Sequence, residues 1–492
     1  MSSVSGNCAM ATLTAHSLWL CEIIPMDNPR RSARPDPDRT ISSVLDLYLK
    51  LVPVGFFVRL LKHLQLRRHR GTFTVPVVIW LMMLQNLHDK GTLAVAVRQV
   101  IHGLPPMLVS RQSKRMRRRT ISCHTGGYNH ARQNLPLEVV RKVNEEIFQQ
   151  LTDTKPKPAS DLQMFILDGS TLLMPHTPSL VDAYPPGHNQ HGQSHWPIMR
   201  ILVGHDLDNG IAVCPHWGPV NGPRAVSEQA LTEELLDQLP AGSGVLGDRN
   251  FGVFSVAWAA QKRKHPVVLR LTAVRAKSAF GRVLCSRTDR TVQWKPSKSD
   301  RARHPGLPVD SCVNGRLIVR NVYPSDGGAS FKLYLFTTLD LPADQIIDLY
   351  GLRWNVETDL RTIKKTIRLE MLRCKTPNMV AKELILAVTA YNLVRAVIQE
   401  SARRTGLDPR QYSFSQVQDL INTWLPHLAS LTSERKRKAE FERMMKYVPQ
   451  CRLYKRKKRP SYPRTVWQHR SKFPTRKGSL NPTNETNASE PQ

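Results

Sequence analysis

From about residue 41 to residue 110 apolar residues recur at helical spacing, in "SSVLDLYLKLVPVGFFVRLLKHL" and "VIWLMMLQNLHDKGTLAVAVRQVIHGL". Proline and glycine interrupt the pattern, which predicts several short helices. The pattern changes near residue 160. "LQMFILDG" is a short apolar run ending in Asp168, "PIMRILVGHDLDNGIAVCPHW" reads as two strands joined by an Asp208-Asn209-Gly210 turn, and "VSEQALTEELLDQL" reads as an amphipathic helix. "SGVLGDRNF" is again a strand leading into an acid, Asp248, and a helix at "SVAWAAQKRK" and a strand at "PVVLRL" follow. The order strand, strand, strand, helix, strand, helix, strand predicts an α/β domain. Residues 272 to 330 interrupt it with polar sequence and short β-like pieces ("RTVQW", "RLIVR"), before "FKLYLFTTL" supplies one more strand leading into a helix. Beyond that, "AKELILAVTAYNLVRAVIQESARR" and "SQVQDLINTWLPHLASL" are helical in pattern.

The expected organisation is a disordered leader over 1–40, a helical domain over 41–120 and a first α/β part over 121–271. A β-rich insertion over 272–330, a second α/β part over 331–400, a helical basic region over 401–477 and a disordered tail over 478–492 complete it. No internal repeat is visible.

The stretch "YGLRWNVETDLRTIKKTI", residues 350 to 367, carries an unusual mixture of side chains. On one α-helix Tyr350, Arg353, Glu357 and Lys364 would fall within an arc of about 60°. Leu349, Leu352, Val356, Leu360, Ile363 and Ile367 would form an adjacent apolar stripe. Such a helix could dock by one face and present a charged column beside it; it could equally be a surface helix with an ordinary Arg353 to Glu357 pair.

Charge changes the picture. Lys plus Arg number 71 against 39 acidic residues, a formal charge of +32, which favours an extended polyanion, nucleic acid first, as partner. The excess is uneven: Arg435 to Lys477 holds 17 Lys or Arg and two Glu, and "RQSKRMRRR" at 111 to 119 is a second basic run. The eight cysteines include no C-x-x-C pair, so neither a zinc ribbon nor a disulfide framework is suggested and a reducing intracellular setting is expected. The longest apolar stretch, "FTVPVVIWLMML", is too short to span a bilayer, and the first 25 residues lack the basic start of a secretory signal; Met26 could be the natural start. His188, His191, His195, His205 and His216 complete no tight zinc motif, and a polar loop between strands is the expected reading of "GHNQHGQSHW".

Three acids stand in special places: Asp168 and Asp248 at strand ends, and Glu357 on the charged helix. If they converge, mutual repulsion calls for a cation. Carboxylates with few other ligands suit Mg²⁺ or Mn²⁺, and two such ions suit in-line displacement at phosphorus. Arg353 and Lys364 could then hold phosphates, and Tyr350 could donate to a phosphate or pack on a sugar.

At these positions the chain resembles bacterial insertion-sequence transposases of the DDE type, in the group with a Tyr-x2-Arg-x3-Glu-x6-Lys signature. "YGLRWNVETDLRTIK" reproduces all four positions, "FILDGSTLLM" looks like the first-Asp strand, and "VLGDRNFG" like the second-Asp segment. "SCHTGGYNHARQNLP" at 122 to 136 is close to the group's lead-in to its catalytic domain. The resemblance covers roughly residues 40 to 470. It implies a ribonuclease-H-like catalytic core interrupted by a β-rich insertion, with a helical N-terminal DNA-binding domain and a basic helical C-terminal region.

It further implies that Asp168, Asp248 and Glu357 bind two Mg²⁺ or Mn²⁺ ions, and that Tyr350, Arg353 and Lys364 contact phosphates of the transposon end. Arg249, beside the second Asp, and Trp294, the lone Trp of the insertion, are further DNA contacts on this reading. For Trp294 a place in the core is the competing expectation. The partners implied are the terminal inverted repeats and target DNA, with a homodimer pairing the two ends, in a bacterial cytoplasm near the nucleoid. The expected function is cut-and-paste DNA transposition. The alternatives are a non-catalytic DNA-binding protein derived from a transposase, and a metal-dependent nuclease without strand transfer.

Overall fold

The computed structural model describes residues 44–453 apart from 67–70, 89–90, 102–107, 109–112, 119, 154–161, 190–191, 282–283, 324–329, 367–368 and 432. The expected leader and tail, His191, and the basic segment beyond residue 453 lie outside the described residues.

The N-terminal helical pattern resolves into α1 (Val44–Leu51), α2 (Val54–His63), α3 (Val75–Leu87) and α4 (Leu93–Ile101). Prolines punctuate them where a missing N–H costs nothing: Pro53 caps α2, and Pro76 lies in the first turn of α3. A single basic turn, α5 (Lys114–Arg117), precedes α6 (Gly126–Asn134) and α7 (Leu137–Asp153).

The sheet then begins. Its eight strands are β1 (Met164–Leu173), β2 (Ile198–Asp206), β3 (His216–Pro219), β4 (Gly244–Gly247), β5 (Val267–Leu271), β6 (Asp289–Trp294), β7 (Val313–Val322) and β8 (Phe331–Thr337). They lie in the order β3-β2-β1-β4-β5-β8-β7-β6. β1, β2 and β3 form an antiparallel meander, while β4 and β5 add in parallel on the other side of β1. This mixed α/β sheet is consistent with a ribonuclease-H-like core. The strands of 272–330 build no sheet of their own: β8 pairs antiparallel with both β5 and β7, so β6, β7 and β8 extend the same sheet.

One strand differs from expectation. After the Asp208-Asn209-Gly210 turn the chain makes only a single bridge at Ala212, and β3 starts at His216. The Val213 N–H still donates to the Gly204 carbonyl, while the outward N–H and C=O of Ala212 are met at 2.8 Å each by the Asn392 carboxamide.

Helices cover the sheet. α8 (Pro178–Ala183) lies between β1 and β2, α9 (Glu228–Leu236) and α10 (Phe254–Lys262) flank β4, and α11 (Ala273–Phe280) and α12 (Lys298–Arg303) flank β6. α13 (Ala343–Gly351) and α14 (Trp354–Arg361) follow β8. α15 (Pro377–Thr405), α16 (Phe414–Ser430) and α17 (Glu434–Tyr447) complete the described fold. The 29 residues of α15 are buried nearly all round, as expected for a central helix. It packs against α1, α3, α7 and α16, and the described residues form one compact unit. No helix among the described residues is long and apolar enough to cross a membrane.

The two sheet faces carry separate cores. Phe165, Leu167, Val245 and Leu269 pack with α9, α10 and α15. Ile166, Leu246, Val268 and Leu335 pack with Ile346, Tyr350 and Val356 of α13 and α14.

A buried charge network pins α14 in place. Asp359, 1% exposed, receives Arg395 at 2.5 Å on one carboxylate oxygen and Arg410 at 2.6 Å on the other. Burial would raise its pKa, but the two guanidiniums hold the Asp359 carboxyl below the ordinary range. Arg410 also donates to the carbonyls of Asp206 and Leu207, and the Tyr391 hydroxyl donates to the Gly210 carbonyl at 2.8 Å. Gly210 has φ +75°, and a Cβ there would come within 2.9 Å of Arg395 and Arg410, so both its conformation and its space require glycine. Asp359→Ala would leave two buried guanidiniums without their counter-ion, and urea unfolding should show a loss of about 3–5 kcal/mol. A loss below about 1 kcal/mol, the value of an exposed pair, would contradict this role.

Candidate active site

The parallel pairing of β1 and β4 ends at Ile166 opposite Leu246. Asp168 and Asp248 each stand two residues further on. By strand alternation they share the face of Ile166 and Leu246, which α13 and α14 cover. Asp248 follows the last residue of β4, as expected. Asp168 is not at a strand end: β1 continues to Leu173, with Asp168 opposite Val203, because β2 runs on past the point where β4 stops.

The segment 350–367 is not one helix. α13 ends at Gly351, and the linking turns close by three-residue bonds: Leu352 to Leu349, Arg353 to Tyr350, Asn355 to Leu352 and Val356 to Arg353. Such turns advance about 120° per residue instead of 100°, which rotates the column. Tyr350 is therefore 6% exposed and Leu352 47% exposed, the reverse of the expected faces, while Val356, Leu360 and Ile363 are buried as expected. After α14 the chain makes a π turn at Thr362–Thr366, a feature frequent at functional sites.

Lys364 lies on that π turn and donates to Ser170 Oγ at 3.1 Å. Ser170 is two residues beyond Asp168, on the same strand face. Arg353 and Glu357 form an ion pair at 3.0 Å, with side chains 19% and 35% exposed. Asp168 accepts from the Gly169 N–H at 2.9 Å. Burial first, then the negative charges of Asp248 and Glu228, push its pKa up to about 7, against the lowering effects of that hydrogen bond and of Arg353. Burial also raises the Tyr350 hydroxyl. That group is enclosed without a well-formed hydrogen bond, although the nearby Arg270 and Arg353 charges pull its pKa back. Among the described residues no three acid, His or Cys side chains are gathered closely enough to hold a metal ion between them.

A further set of residues supports the acids without any signal in the composition or spacing. Glu228, the first residue of α9, is bonded by Arg200 at 3.3 Å and by the Asn250 carboxamide. Gln229 donates to Asn250 Oδ1 at 2.6 Å and to its carbonyl at 2.8 Å, and the Asn250 N–H donates to Asp248 Oδ1 at 2.8 Å. The first turn of α9 thus clamps the loop that orients Asp248. Glu228 also explains Gly169, since a Cβ there would lie 2.1 Å from the Glu228 carboxyl carbon. Ser227 caps α9, its Oγ accepting from the Ala230 N–H at 3.1 Å.

Arg249 is exposed beside Asp248, and its carbonyl accepts from Arg275 at 3.1 Å. Trp294 is 3% exposed and sits among Phe254, Phe280 and Phe336, so as it stands it is a core side chain. The histidines are dispersed. His195 stacks on His176, His205 is buried with burial pushing its pKa down to about 4, and His216 pairs with Glu234 at 2.9 Å.

Two acids on one sheet face, with Tyr350, Arg353, Glu357 and Lys364 on the segment that covers it, are the arrangement expected of DDE transposases. Comparison with known proteins agrees. The family described as "Transposase DDE domain" matches residues 159–393. A curated relative from Escherichia coli (strain K12), the transposase InsG for insertion sequence element IS4, is 26% identical over 354 residues, which is 70% of this chain and 77% of the relative. These matches support an IS4-type DDE transposase.

The raised pKa of Asp168 has a sign. The folded protein binds a proton there that the unfolded chain has released, so stability falls as pH rises between the ordinary carboxylate range and about 7. Urea unfolding in EDTA should therefore show wild-type stability declining from pH 5 to pH 8, by up to about 2.6 kcal/mol, and declining much less in Asp168→Asn. Parallel profiles would contradict the shifted carboxyl.

Proposed function

We propose that the protein binds the terminal inverted repeats of its own element and performs cut-and-paste transposition by metal-dependent phosphoryl transfer. The single observation that carries this reading is the pair Asp168 and Asp248, side by side on the face that the Glu357 helix covers. DDE transposase domains generally use divalent metal ions, and the donors here, all carboxylate oxygens with one pKa near 7, match a hard cation such as Mg²⁺ or Mn²⁺. Two such ions, when bound, would activate the attacking oxygen and stabilise the leaving one.

Asp168 and Asp248 would hold the ions, and Glu357 would join them by releasing Arg353. The freed Arg353, with Lys364, would hold phosphates flanking the scissile bond, Arg by its fork and Lys as a point charge. Tyr350 would support that face from the core, with its hydroxyl reaching a phosphate only once uncovered. Arg249, exposed beside Asp248, would contact the DNA backbone. Water attacks phosphorus and the bond to the 3′ oxygen breaks, leaving a 3′-hydroxyl; that hydroxyl then attacks a target phosphate and displaces the target strand's own 3′ oxygen. No covalent protein intermediate is required. Two ends need two active sites, which suits a homodimer.

Incubation with Mg²⁺ and labelled duplex carrying the DNA at the ends of its own locus tests this. Wild type should cut at the element boundary and join pre-cut 3′ ends to target DNA, and Glu357→Gln should lose at least about 100-fold in rate, the scale of removing one preorganised transition-state contact. Binding without cutting by the wild type would instead support a DNA-binding relic, and cutting without joining would support a nuclease.

A further inference from the structure

Away from the acids, a cavity of about 500 Å³ opens between the N-terminal helices and the start of α15. The loop after the π turn forms one wall: Leu173 and Met371 form a parallel bridge, so this loop continues from the far end of the Asp168 strand. Its opposite wall is α6, whose Tyr128 and Arg132 belong to the "GGYNHAR" segment that the acid site leaves unused. Tyr128 donates to Gln85 at 2.8 Å, and the Arg132 guanidinium lies over the Tyr128 ring at 5.6 Å.

The lining is electropositive. Arg132, Arg373 and Lys375 line it, and Lys382 stands behind the α6 wall, donating to the carbonyls of Arg132 and Gln133 at 3.1 and 3.0 Å. Glu383, the one acid of the lining among the described residues, spends its carboxylate on the N–H groups of Arg373 and Cys374, at 2.9–3.0 Å, and thereby shapes the loop. The N-terminus of the 29-residue α15 opens at the same place, with Thr376 as a cap that makes no side-chain capping bond. Arg132 Nε is enclosed without a partner. Asn129 and Gln133 add carboxamides to the same wall, and Met82, Leu93 and Met379 supply apolar surface. An anion is favoured at one side, a planar hydrogen-bonding group at the other, and the volume is that of a small-molecule site and too narrow for a duplex.

We propose that this cavity binds a single nucleotide, its phosphate held by Arg373, Lys375 and the α15 N-terminus and its base by Asn129, Gln133 and the methionines. Carboxamides pair with base edges and guanidiniums with phosphate, so the site reads a nucleotide as a unit. The nucleotide is either an unpaired one at the end of a DNA strand or a free one in solution. The inference stands apart from the metal chemistry of the acids.

The test is titration of the full chain in EDTA with deoxyadenosine monophosphate, with inorganic phosphate, and with duplexes that end either blunt or in one unpaired adenosine. Deoxyadenosine monophosphate should bind the wild type and Asp168→Asn equally, and bind at least tenfold more weakly to Lys375→Glu and to the double variant Asn129→Ala, Gln133→Ala. Matching urea midpoints establish that these variants are folded, with Lys375→Gln as the milder substitution. A preference for the unpaired end that the variants lose assigns DNA as the source; mononucleotide binding without that preference assigns a free nucleotide. Absence of both, binding that the variants leave unchanged, or phosphate binding as tightly as the nucleotide would overturn the proposal. Failure of Mg²⁺-dependent cleavage would leave these results standing, since they are read without metal.

Discussion

Burial of one carboxylate near a second sets the terms of this site. Parallel pairing of β1 and β4 brings Asp168 and Asp248 to neighbouring positions on one sheet face. Burial and the neighbouring charge raise Asp168 to about 7. Much of the local architecture serves to keep the pair there despite that cost. Asn250 orients Asp248, the first turn of α9 holds Asn250, and Arg200 neutralises Glu228 of that turn. An arrangement that is unfavourable without a counter-ion and rigid in its supports is what a site built around a cation requires.

The same logic reaches the helix that carries Glu357. Two residues beyond it, Asp359 is locked to Arg395 and Arg410, which in turn hold the turn after β2. The backbone of this helix is thus fixed to the sheet, while Glu357, partly exposed, pairs with Arg353. On the proposed reading, Glu357 would turn to a cation by giving up this ion pair, with the fold held in place by the Asp359 network.

The element order and sheet membership of the α/β region were legible because strand and helix periods alternate cleanly between residues 160 and 271. The signature residues were legible because their spacing is fixed in sequence. What was not legible came from long-range contacts. The Asn392 carboxamide meets Ala212 from 180 residues away, and three-residue turns at 349–356 bury Tyr350 in place of Leu352. No local pattern marks Glu228, whose role appears only when Gly169 and Asn250 are brought beside it. Trp294 could not be assigned from its spacing, since the aromatic cluster around it draws Phe254, Phe280 and Phe336 from three separate elements.

Titration of the purified chain with Mn²⁺, following free ion by electron paramagnetic resonance, tests without DNA or catalysis whether Asp168, Asp248 and Glu357 together bind a divalent cation. Saturable binding is expected in the wild type, with Asp168→Asn and Glu357→Gln each weakening it by at least about tenfold, the lower end for perturbing a metal's ligand environment. Wild-type affinity retained in both variants, or no saturable binding at all, would contradict binding by these three acids.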